Sequence, residues 1–415
     1  MEKLSLFKNF KERFFFLFFF SLIFSLNIYI EFLTYKKVTR NEVYQINGII
    51  VNVYDKQKYQ TLKIKSKDFT FFTSYYKNKK VLIDEKIELL ITTKELSFIS
   101  FLQGFYTNSF NIKFSKNILD NKKNIYNSIE KQHQNKDLSS LYNALYLATP
   151  LTSKIRELSS NLGISHLIAI SGFHLSVISL VLYFILHILY KPLHNRLFPY
   201  RNKRYDILIL TSVILLVYLL FIDMPPSLLR AFIMFIFALF LIRNNIKIIS
   251  FETLFIISII IISLFPKLLF SLSLWFSITG VFYIFLFIKY FNKLNKIVQL
   301  IVFNFWLYLA INPITHYFFS TTTIEQLYSP IITILFTFFY PISILLHLLN
   351  LGGLLDVYLE YFSNINFDSI DIYTPIYFFV LYVIVSLLSI FKKSFFLLLN
   401  FLMIFYNIWV FQFVF

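Results

Sequence analysis

The chain has 415 residues, of which 57% are hydrophobic, 20% aromatic and only 15% charged. Soluble domains contain about 25% charged residues, so this composition excludes an ordinary water-soluble domain and indicates a membrane protein. The absence of cysteine excludes disulfides and thiolate metal sites. The net charge of +17 fits Lys- and Arg-rich cytoplasmic loops, but it also fits a surface that attracts nucleic acid or anionic lipid.

The N-terminus contains a predicted membrane helix. The basic stretch MEKLSLFKNFKER precedes the apolar run FFFLFFFSLIFSLNIYIEFL, which is long enough to cross a bilayer. A cleaved signal peptide is the alternative, but no small-residue cleavage site follows the run. We therefore expect residues 1–33 to form a cytoplasmic tail and a first transmembrane helix.

Residues 34–163 are polar and contain no apolar run of span length. Residues 34–108 include short runs rich in Val, Ile, Thr, Tyr and Phe, such as EVYQINGIIVNVYD and EKIELLIT, separated by polar turns. Four or five short strands predict an all-β module, and a small barrel of the OB-fold type fits that number. Residues 109–163 have helical spacing and predict an amphipathic helical connector.

Residues 164–415 predict a polytopic helical domain. Apolar runs lie near 164–190, 206–222, 228–242, 248–265, 268–288, 297–312, 328–349, 373–391 and 394–414. The linkers 191–204, 243–247 and 289–296 are basic, whereas the linkers between them are not. Because cytoplasmic loops collect Lys and Arg, we expect the N-terminus inside and residues 34–163 outside. The predicted fold class is an α-helical multi-pass membrane protein with an extracytoplasmic β-barrel module.

The segment 328–349 departs from this alternation. If it crosses the membrane once, the acidic stretch 356–371 lies inside and the lysines at 392–393 lie outside. A hairpin broken at Pro341 reverses both assignments. Irregular backbone at membrane depth is tolerated only inside protein or beside a watery cavity. We therefore predict a re-entrant segment and an outside C-terminus.

Arg230, in the stretch PPSLLRAFIMF, is a charged residue inside a predicted span, and such residues are candidates for function. It could snorkel to the nearby outer surface. Alternatively it faces a polar cavity, where its planar guanidinium would hold an anion such as phosphate. Pro225 and Pro226 predict the start of the helix, and Ser227 is close enough to help cap it.

The stretch GISHLIAISGFHLSVIS contains two histidines in a predicted span. His166 and His174 would lie about 12 Å apart on one face of a helix, too far to share a metal, so no metal site is expected. Ser171 is one turn from His174, which could form a nucleophile–base pair, but no nucleophile-elbow motif or orienting acid is evident. Gly172 would allow close helix approach or a bend.

Other spans carry further hydroxyl and amide groups. Each could simply bond to the carbonyls of its own helix. Their presence in several spans instead favours a polar interior, and hence a conduit or a binding cavity. The candidates are Ser273, Ser277, Asn312 and Ser320.

Four segments together resemble the ComEC competence-protein family. GISHLIAISGFHLSVIS resembles its histidine and serine-glycine signature, and PPSLLRAFIMF resembles its proline-serine and arginine-alanine stretch. LFPKLLFSLSLWFSITGVFYI and NPITHYFFSTTTIEQLYSPIITILFTFFYPI resemble its later blocks. The order and spacing agree over most of residues 30 to 400.

The resemblance implies an inner-membrane channel that translocates single-stranded DNA into the cytoplasm during natural transformation. It implies that the outer module is a DNA-binding OB-fold, with Lys63, Lys65, Lys67, Phe71 and Lys79 as candidate contacts. Many family members continue into a metallo-β-lactamase-like nuclease domain, which this sequence lacks. No enzymatic activity and no cofactor are therefore expected.

The expected partners are single-stranded DNA, membrane lipid, a DNA receptor, a cytoplasmic helicase and a separate nuclease. A second copy of the chain is a further candidate partner. Two other functions stay open. The first is a secondary transporter of a small anionic solute that uses Arg230 and the histidines. The second is an intramembrane hydrolase that uses Ser171 and His174.

Overall fold

A computed structural model describes residues 7, 9–55, 59–76, 85–115, 120–244, 246, 248–363, 365 and 367–413. The chain divides into two compact units. One unit consists of Phe7–Ile125 and Ile256–Leu274. The other contains Tyr126–Phe255 and Trp275–Phe415.

The elements before residue 172 include both helices and strands. They are α1 (Phe10–Val38), β1 (Val43–Asp55), β2 (Gln60–Ser66), β3 (Thr70–Tyr75), β4 (Lys86–Thr92), α2 (Phe98–Gln103), β5 (Phe105–Tyr106), β6 (Ser109–Ser115), α3 (Asp120–Glu130), α4 (Lys136–Leu147), α5 (Ser153–Asn161) and α6 (Ser165–Ile168).

The rest of the described chain is mainly helical. Its elements are α7 (Gly172–Leu197), α8 (Lys203–Phe221), α9 (Pro226–Arg243), α10 (Phe251–Leu264), a 3₁₀ turn (Pro266–Phe270), α11 (Leu272–Phe291), α12 (Lys296–Phe318), β7 (Thr321–Thr322), a 3₁₀ turn (Ile324–Tyr328), α13 (Ser329–Leu348), a 3₁₀ turn (Gly352–Leu355), α14 (Asp356–Ser363), β8 (Ile370–Asp371), α15 (Ile376–Leu388) and α16 (Lys393–Phe411).

The predicted β-module is a sheet whose six described strands have the order β5-β3-β2-β1-β4-β6. Alternate residues of each strand point to one face, and the apolar set forms the core. Ile50 of β1 pairs with Ile64 of β2, and Ile64 pairs with Phe71 of β3. All three side chains are fully buried. The prediction of a β-module is therefore confirmed.

The sheet is not a closed barrel, so that part of the prediction is wrong. In the described residues, β5 and β6 are the two edges of the sheet, and only Thr107 and Asn108 separate them along the chain. The Thr107 N–H donates to the Phe72 carbonyl at 2.9 Å, and the Asn108 carbonyl accepts from the Thr92 N–H at 3.2 Å. The sheet is strongly curled, because two residues can bridge only a short gap between its edges.

The helical connector begins later than predicted. Residues 109–115 form β6, which pairs with β4 in an antiparallel register. The alternation of Phe110, Ile112 and Phe114 favours a strand over a helix, because it has a period of two residues. The connector itself consists of α3, α4 and α5.

Polar contacts join α1, the sheet and the segment after α10 within the first unit. The Lys267 ammonium lies 2.8 Å from the Glu31 carboxylate and donates to the Asp68 carbonyl at 2.7 Å. The Asn27 amide donates to the Ser263 carbonyl at 2.7 Å. The β-module is therefore attached directly to the first membrane helix.

Eight helical segments in the described part of the chain are long and apolar enough to cross a membrane. They comprise α1, α7, α8, α9, α11, α12, α13 with its preceding 3₁₀ turn, and α16. The predicted spans 248–265 and 373–391 correspond to the shorter apolar helices α10 and α15. The coarse prediction of a multi-pass helical protein with an N-terminal β-module is confirmed.

The helix α13 is continuous through Pro341. The prediction of a hairpin broken at this proline is therefore wrong. Pro341 lacks an N–H and so removes one backbone hydrogen bond, but the helix continues beyond it to Leu348.

Candidate functional site

Two helices separated by a short break replace the single predicted span that begins at residue 164. The helix α6 ends before residues 169–171 and α7 begins after them, so His166 and His174 lie on different helices. The prediction that they share a face of one helix is wrong. His166 is exposed, whereas His174 is fully buried in the first turn of α7.

Ser171 caps α7, and its contact with His174 belongs to that cap. The Ser171 Oγ accepts from the Phe173 N–H at 3.3 Å, and the Ser171 N–H donates to the His174 Nδ1 at 3.2 Å. Such a capping box satisfies amide groups at a helix N-terminus. The Ser171 Oγ also lies 3.4 Å from the His174 Nδ1, and this contact falls within the same cap.

His174 is enclosed by aromatic rings. Because its Nδ1 accepts an amide hydrogen bond, its ring proton lies on Nε2. Nε2 is buried and has no hydrogen-bond partner among the described residues. The Phe336 and Tyr340 rings lie 5.7 and 4.7 Å away, steeply inclined to the imidazole. This geometry suits a weak N–H···π contact.

The start of α7 packs closely against α9. A Cβ on Gly172 would lie 3.3 Å from the Ala231 Cβ, so glycine allows the close approach predicted for it. Ser227 Oγ donates to the Ile170 carbonyl at 2.5 Å, so the expectation that it caps α9 is wrong. This bond instead ties α9 to the break before α7.

Arg230 is buried, with 3% of its surface exposed. It precedes Ala231 in α9, and its burial disagrees with snorkelling. Four of the predicted residues lie at the start of α7 or bond to the break before it, and Arg230 lies three residues after Ser227 in α9. We call Ser171, Gly172, His174, Ser227 and Arg230 the α7 polar cluster.

Asn312 belongs to a second polar cluster, which links α12 to α16. Pro313 cannot donate a backbone hydrogen bond to the Leu309 carbonyl one turn earlier. The Asn407 Nδ2 donates to that carbonyl at 3.1 Å, and the Asn407 Oδ1 accepts from the Asn312 Nδ2 at 2.8 Å. Asn312 and Asn407 therefore stabilise the helix contact at the proline.

The three remaining predicted serines are not shown to belong to either polar cluster. Ser273 is exposed and belongs to the unit that contains the β-module. Ser277 is half-buried in α11. The Ser320 Oγ donates to the Asp371 Oδ1 at 2.6 Å, next to the short pairing of β7 and β8.

The outward face of the β-module carries basic and aromatic side chains. Lys63 lies opposite Phe72 in the register of β2 and β3, with its ammonium 5.7 Å from the ring centroid. Partial burial lowers the pKa of Lys63 from the ordinary lysine value. Lys65 is exposed on the same face, and Tyr106, which sequence reasoning missed, is 55% exposed.

The other predicted DNA contacts in the module have different positions. Phe71 is fully buried in the sheet core, so its prediction as a base-stacking residue is wrong. Adjacent residues in a strand point to opposite faces, which leaves Phe72 on the outward side. Lys67 is exposed in the turn between β2 and β3, and Lys79 lies outside the described residues.

Sequence reasoning missed a third polar cluster, where the loop between α3 and α4 meets α13 and α14. The His133 Nδ1 lies 2.9 Å from both carboxylate oxygens of Asp356, and the His133 Nε2 lies 2.9 Å from the His347 Nε2. These contacts join residues more than 200 positions apart, so no local sequence pattern could reveal them. We call His133, His347 and Asp356 the histidine joint.

The joint constrains membrane topology. The end of α13 and the start of α14 lie against residues 131–135, so these segments must occupy the same side of a membrane. If residues 34–163 are outside, as the basic linkers predict, the stretch from 350 to 360 is outside as well. The start of α13 also contacts this part of the chain, since the Ser329 Oγ donates to the Gly163 carbonyl at 3.0 Å. The outside location of the acidic loop therefore stays a prediction.

A family model described as competence protein matches residues 149–414, which is more than half of the chain. The chain belongs to the competence protein family. No curated protein and no solved structure matches it. The α7 polar cluster and the Asn312–Asn407 pair lie inside the matched region, whereas the β-module and His133 lie before it.

Membership of the competence protein family supports a role in DNA uptake during competence. The family match and the long apolar helices together fit a multi-pass protein of the inner membrane. Among the described residues, no group of three or more His, Cys, Asp or Glu side chains is arranged to hold a metal ion.

Proposed function

We propose that this chain forms the inner-membrane path through which single-stranded DNA enters the cytoplasm during natural transformation. The family match over residues 149–414 carries the proposal. Buried polar groups on α7, α9, α12 and α16 support it, since polar residues inside membrane helices are costly and typically mark a pathway.

The α7 polar cluster is the proposed outer part of that path. Arg230 offers the planar donor group that suits a phosphate, and Ser227 lies three residues before it in the same helix. Arg230 is almost fully buried. DNA can therefore reach it only if the surrounding helices separate, so the path must open during transport.

The outward face of the β-module is the proposed first contact with DNA. Lys63 and Lys65 can neutralise phosphates, while Phe72 and Tyr106 offer rings on which bases can stack. Such a combination is used by OB-fold proteins to bind single strands, and we infer an OB-fold-like role for the module.

We infer that the chain itself is not an enzyme. Helix capping explains the Ser171–His174 contact, which was the best candidate for a nucleophile and base. A separate nuclease, a cytoplasmic helicase and a DNA receptor would then complete the uptake machinery. The proposed orientation has the N-terminus inside and residues 34–163 outside.

The decisive experiment separates DNA entry from recombination. A deletion strain should fail to take up externally added, labelled DNA into a nuclease-protected state, yet it should be transformed normally by electroporated single strands. Restoration by the full chain would attribute the defect to this protein. Normal uptake by the deletion strain would contradict the proposal.

Substitutions in α9 test the path itself. Arg230→Gln should abolish protected uptake at unchanged protein abundance, because it removes the phosphate-binding charge. Arg243→Gln is the matched control, since Arg243 is exposed at the other end of the same helix. Equal uptake by the two variants would remove Arg230 from the path. Loss of small-anion transport with normal DNA uptake would favour a solute transporter.

A further inference from the structure

The histidine joint is a chain of hydrogen bonds in which each contact restricts where the protons can lie. It lies between the loop after α3, the C-terminal end of α13 and the first residue of α14. The His133 side chain is fully buried, whereas the Asp356 side chain is 17% exposed. The His347 Nδ1 lies 2.7 Å from the Ser343 carbonyl oxygen at the far end of the set.

The Ser343 carbonyl fixes the protonation of His347. A carbonyl oxygen can only accept a hydrogen bond, so the His347 Nδ1 must carry a proton and donate it. A neutral His347 then has a lone pair on Nε2. That lone pair faces the His133 Nε2 at 2.9 Å, so His133 must donate across this contact.

The Asp356 contact then requires one more proton. The His133 Nε2 already carries a hydrogen, and a neutral His133 would therefore present a lone pair to the Asp356 carboxylate. The bond forms only if a further proton sits on His133 Nδ1 or on the carboxyl group. All three hydrogen bonds together need one proton more than an ionised aspartate and two neutral histidines possess.

A shared metal ion does not explain the geometry. Two nitrogens bound to one tetrahedral zinc, each about 2.0–2.1 Å from it, would lie about 3.3 Å apart. The two Nε2 atoms are 2.9 Å apart and face each other directly. A hydrogen bond fits this separation better.

The neighbouring titratable groups do not supply the proton. The Tyr142 ring stacks on His133 with centroids 4.5 Å apart, and the Tyr146 hydroxyl lies 3.3 Å from the His347 Nδ1. Burial raises the pKa of both phenols well above the ordinary value, so both stay neutral. Tyr146 donates its own proton to the Ser343 Oγ at 2.8 Å.

Charged groups at the rim are already solvated or bonded. Glu360 of α14 accepts from the Asn135 Nδ2 at 2.9 Å. Glu130, Lys131 and Lys136 are exposed, and Asp137 is half-buried in the first turn of α4.

We propose that the histidine joint is a proton-binding site that locks the loop after α3 to α13 and α14, and that loss of its extra proton loosens this contact. The protonated set makes three hydrogen bonds. After deprotonation, one contact has no hydrogen to share. Either the His133 and His347 Nε2 lone pairs face each other, or the His133 Nδ1 lone pair faces the Asp356 carboxylate. Both arrangements are repulsive in a buried site. The lock is therefore closed at low pH and released as pH rises. This inference does not depend on DNA transport.

Asp356→Asn allows the hydrogen bonds of the joint to form without the extra proton. The amide Nδ2 can donate to the His133 Nδ1, which allows a neutral His133 to donate from Nε2 to His347. All three bonds are then made without the extra proton. The variant should fold and should have lost the pH dependence of the lock.

The test is thermal unfolding of the purified full chain in detergent from about pH 6 to about pH 8.5, the range in which histidine-linked groups titrate. The melting temperature of the wild type should fall by about 2 °C or more relative to Asp356→Asn as the pH rises. His194→Gln, which removes a histidine elsewhere, should retain the wild-type profile. Parallel profiles for the wild type and Asp356→Asn, or an Asp356→Asn chain that does not fold, would overturn the proposal.

A distance measurement across the joint tests the opening itself. The chain has no cysteine, so Lys131→Cys and Tyr358→Cys would place unique spin labels on two exposed positions at either side. The label-to-label distance distribution should broaden at high pH in the wild-type background and stay narrow with Asp356→Asn. A distribution that does not change with pH in the wild-type background would refute the lock.

Discussion

The amide of Asn407 replaces the backbone donor that Pro313 removes from α12, and the two residues should be energetically coupled. Asn407→Leu keeps a similar side-chain volume but removes two contacts. The Leu309 carbonyl loses its donor at 3.1 Å, and the Asn312 amide loses its acceptor at 2.8 Å. The Met403 carbonyl, which also accepts from Asn407, lies within the same helix.

The loss of stability follows from the two polar groups left without a partner, the Leu309 carbonyl and the Asn312 amide. A buried polar group left without a partner costs about 1–3 kcal/mol, whereas hydrogen bonds between membrane helices average only about 0.6 kcal/mol. We therefore expect Asn407→Leu to lower the free energy of unfolding by about 1–3 kcal/mol. In a Pro313→Ala background, the restored N–H can bond to the Leu309 carbonyl. The cost of Asn407→Leu should then fall by roughly half.

The measurement is a double-mutant cycle on the purified chain, unfolded in mixed micelles and followed by circular dichroism. Asn304→Leu is the control, because the one side-chain hydrogen bond of Asn304 among the described residues is to the Leu300 carbonyl of its own helix, at 2.9 Å. This control should cost little in either background. If Asn407→Leu costs the same in the wild-type and the Pro313→Ala backgrounds, the amide does not compensate for the proline and the reasoning fails.

Four further predictions concern other parts of the chain. Gly48→Ala should destabilise the β-module by about 1–3 kcal/mol, because the new Cβ would lie 2.5 Å from a methyl group of a buried isoleucine. Gly280→Ala, whose new Cβ would meet no described atom within 4 Å beyond its chain neighbours and its own helix backbone, should be neutral or stabilising by up to about 1 kcal/mol in thermal unfolding. A membrane-impermeant thiol reagent should label Tyr358→Cys in intact cells and Lys293→Cys only after lysis; the reverse pattern would overturn the proposed orientation. Lys63→Gln should weaken binding of single-stranded DNA by the full chain and reduce the slope of log K against log salt by about 0.7, and an unchanged slope would remove this lysine from the DNA contact.

The break before α7 was partly visible in the sequence. Ser171 followed by Gly172 is a plausible helix start, but the apolar residues on both sides suggested one continuous span. Hydropathy averages over many residues, whereas a cap depends on the geometry of two or three. The structure therefore relocated the start of the span and separated the two histidines.

The error at Phe71 has a similar physical origin. The alternation of side chains along a strand predicts that Phe71 and Phe72 point to opposite faces of the sheet. It does not predict which face the rest of the protein covers. The packing of β1 and α2 over one face buries Phe71 and leaves Phe72 outside. Lys63, a predicted DNA contact, lies opposite Phe72 in the register of β2 and β3.

Local composition and periodicity determined the membrane class, the approximate spans, the alternation of basic linkers and the presence of a β-module. These properties depend on residues that are near one another in the chain, so the sequence alone could specify them. The open edges of the sheet, the compensation of Pro313 by Asn407 and the histidine joint depend on contacts between distant residues. His133 and Asp356 are 223 positions apart, and only tertiary packing brings their side chains within hydrogen-bonding distance.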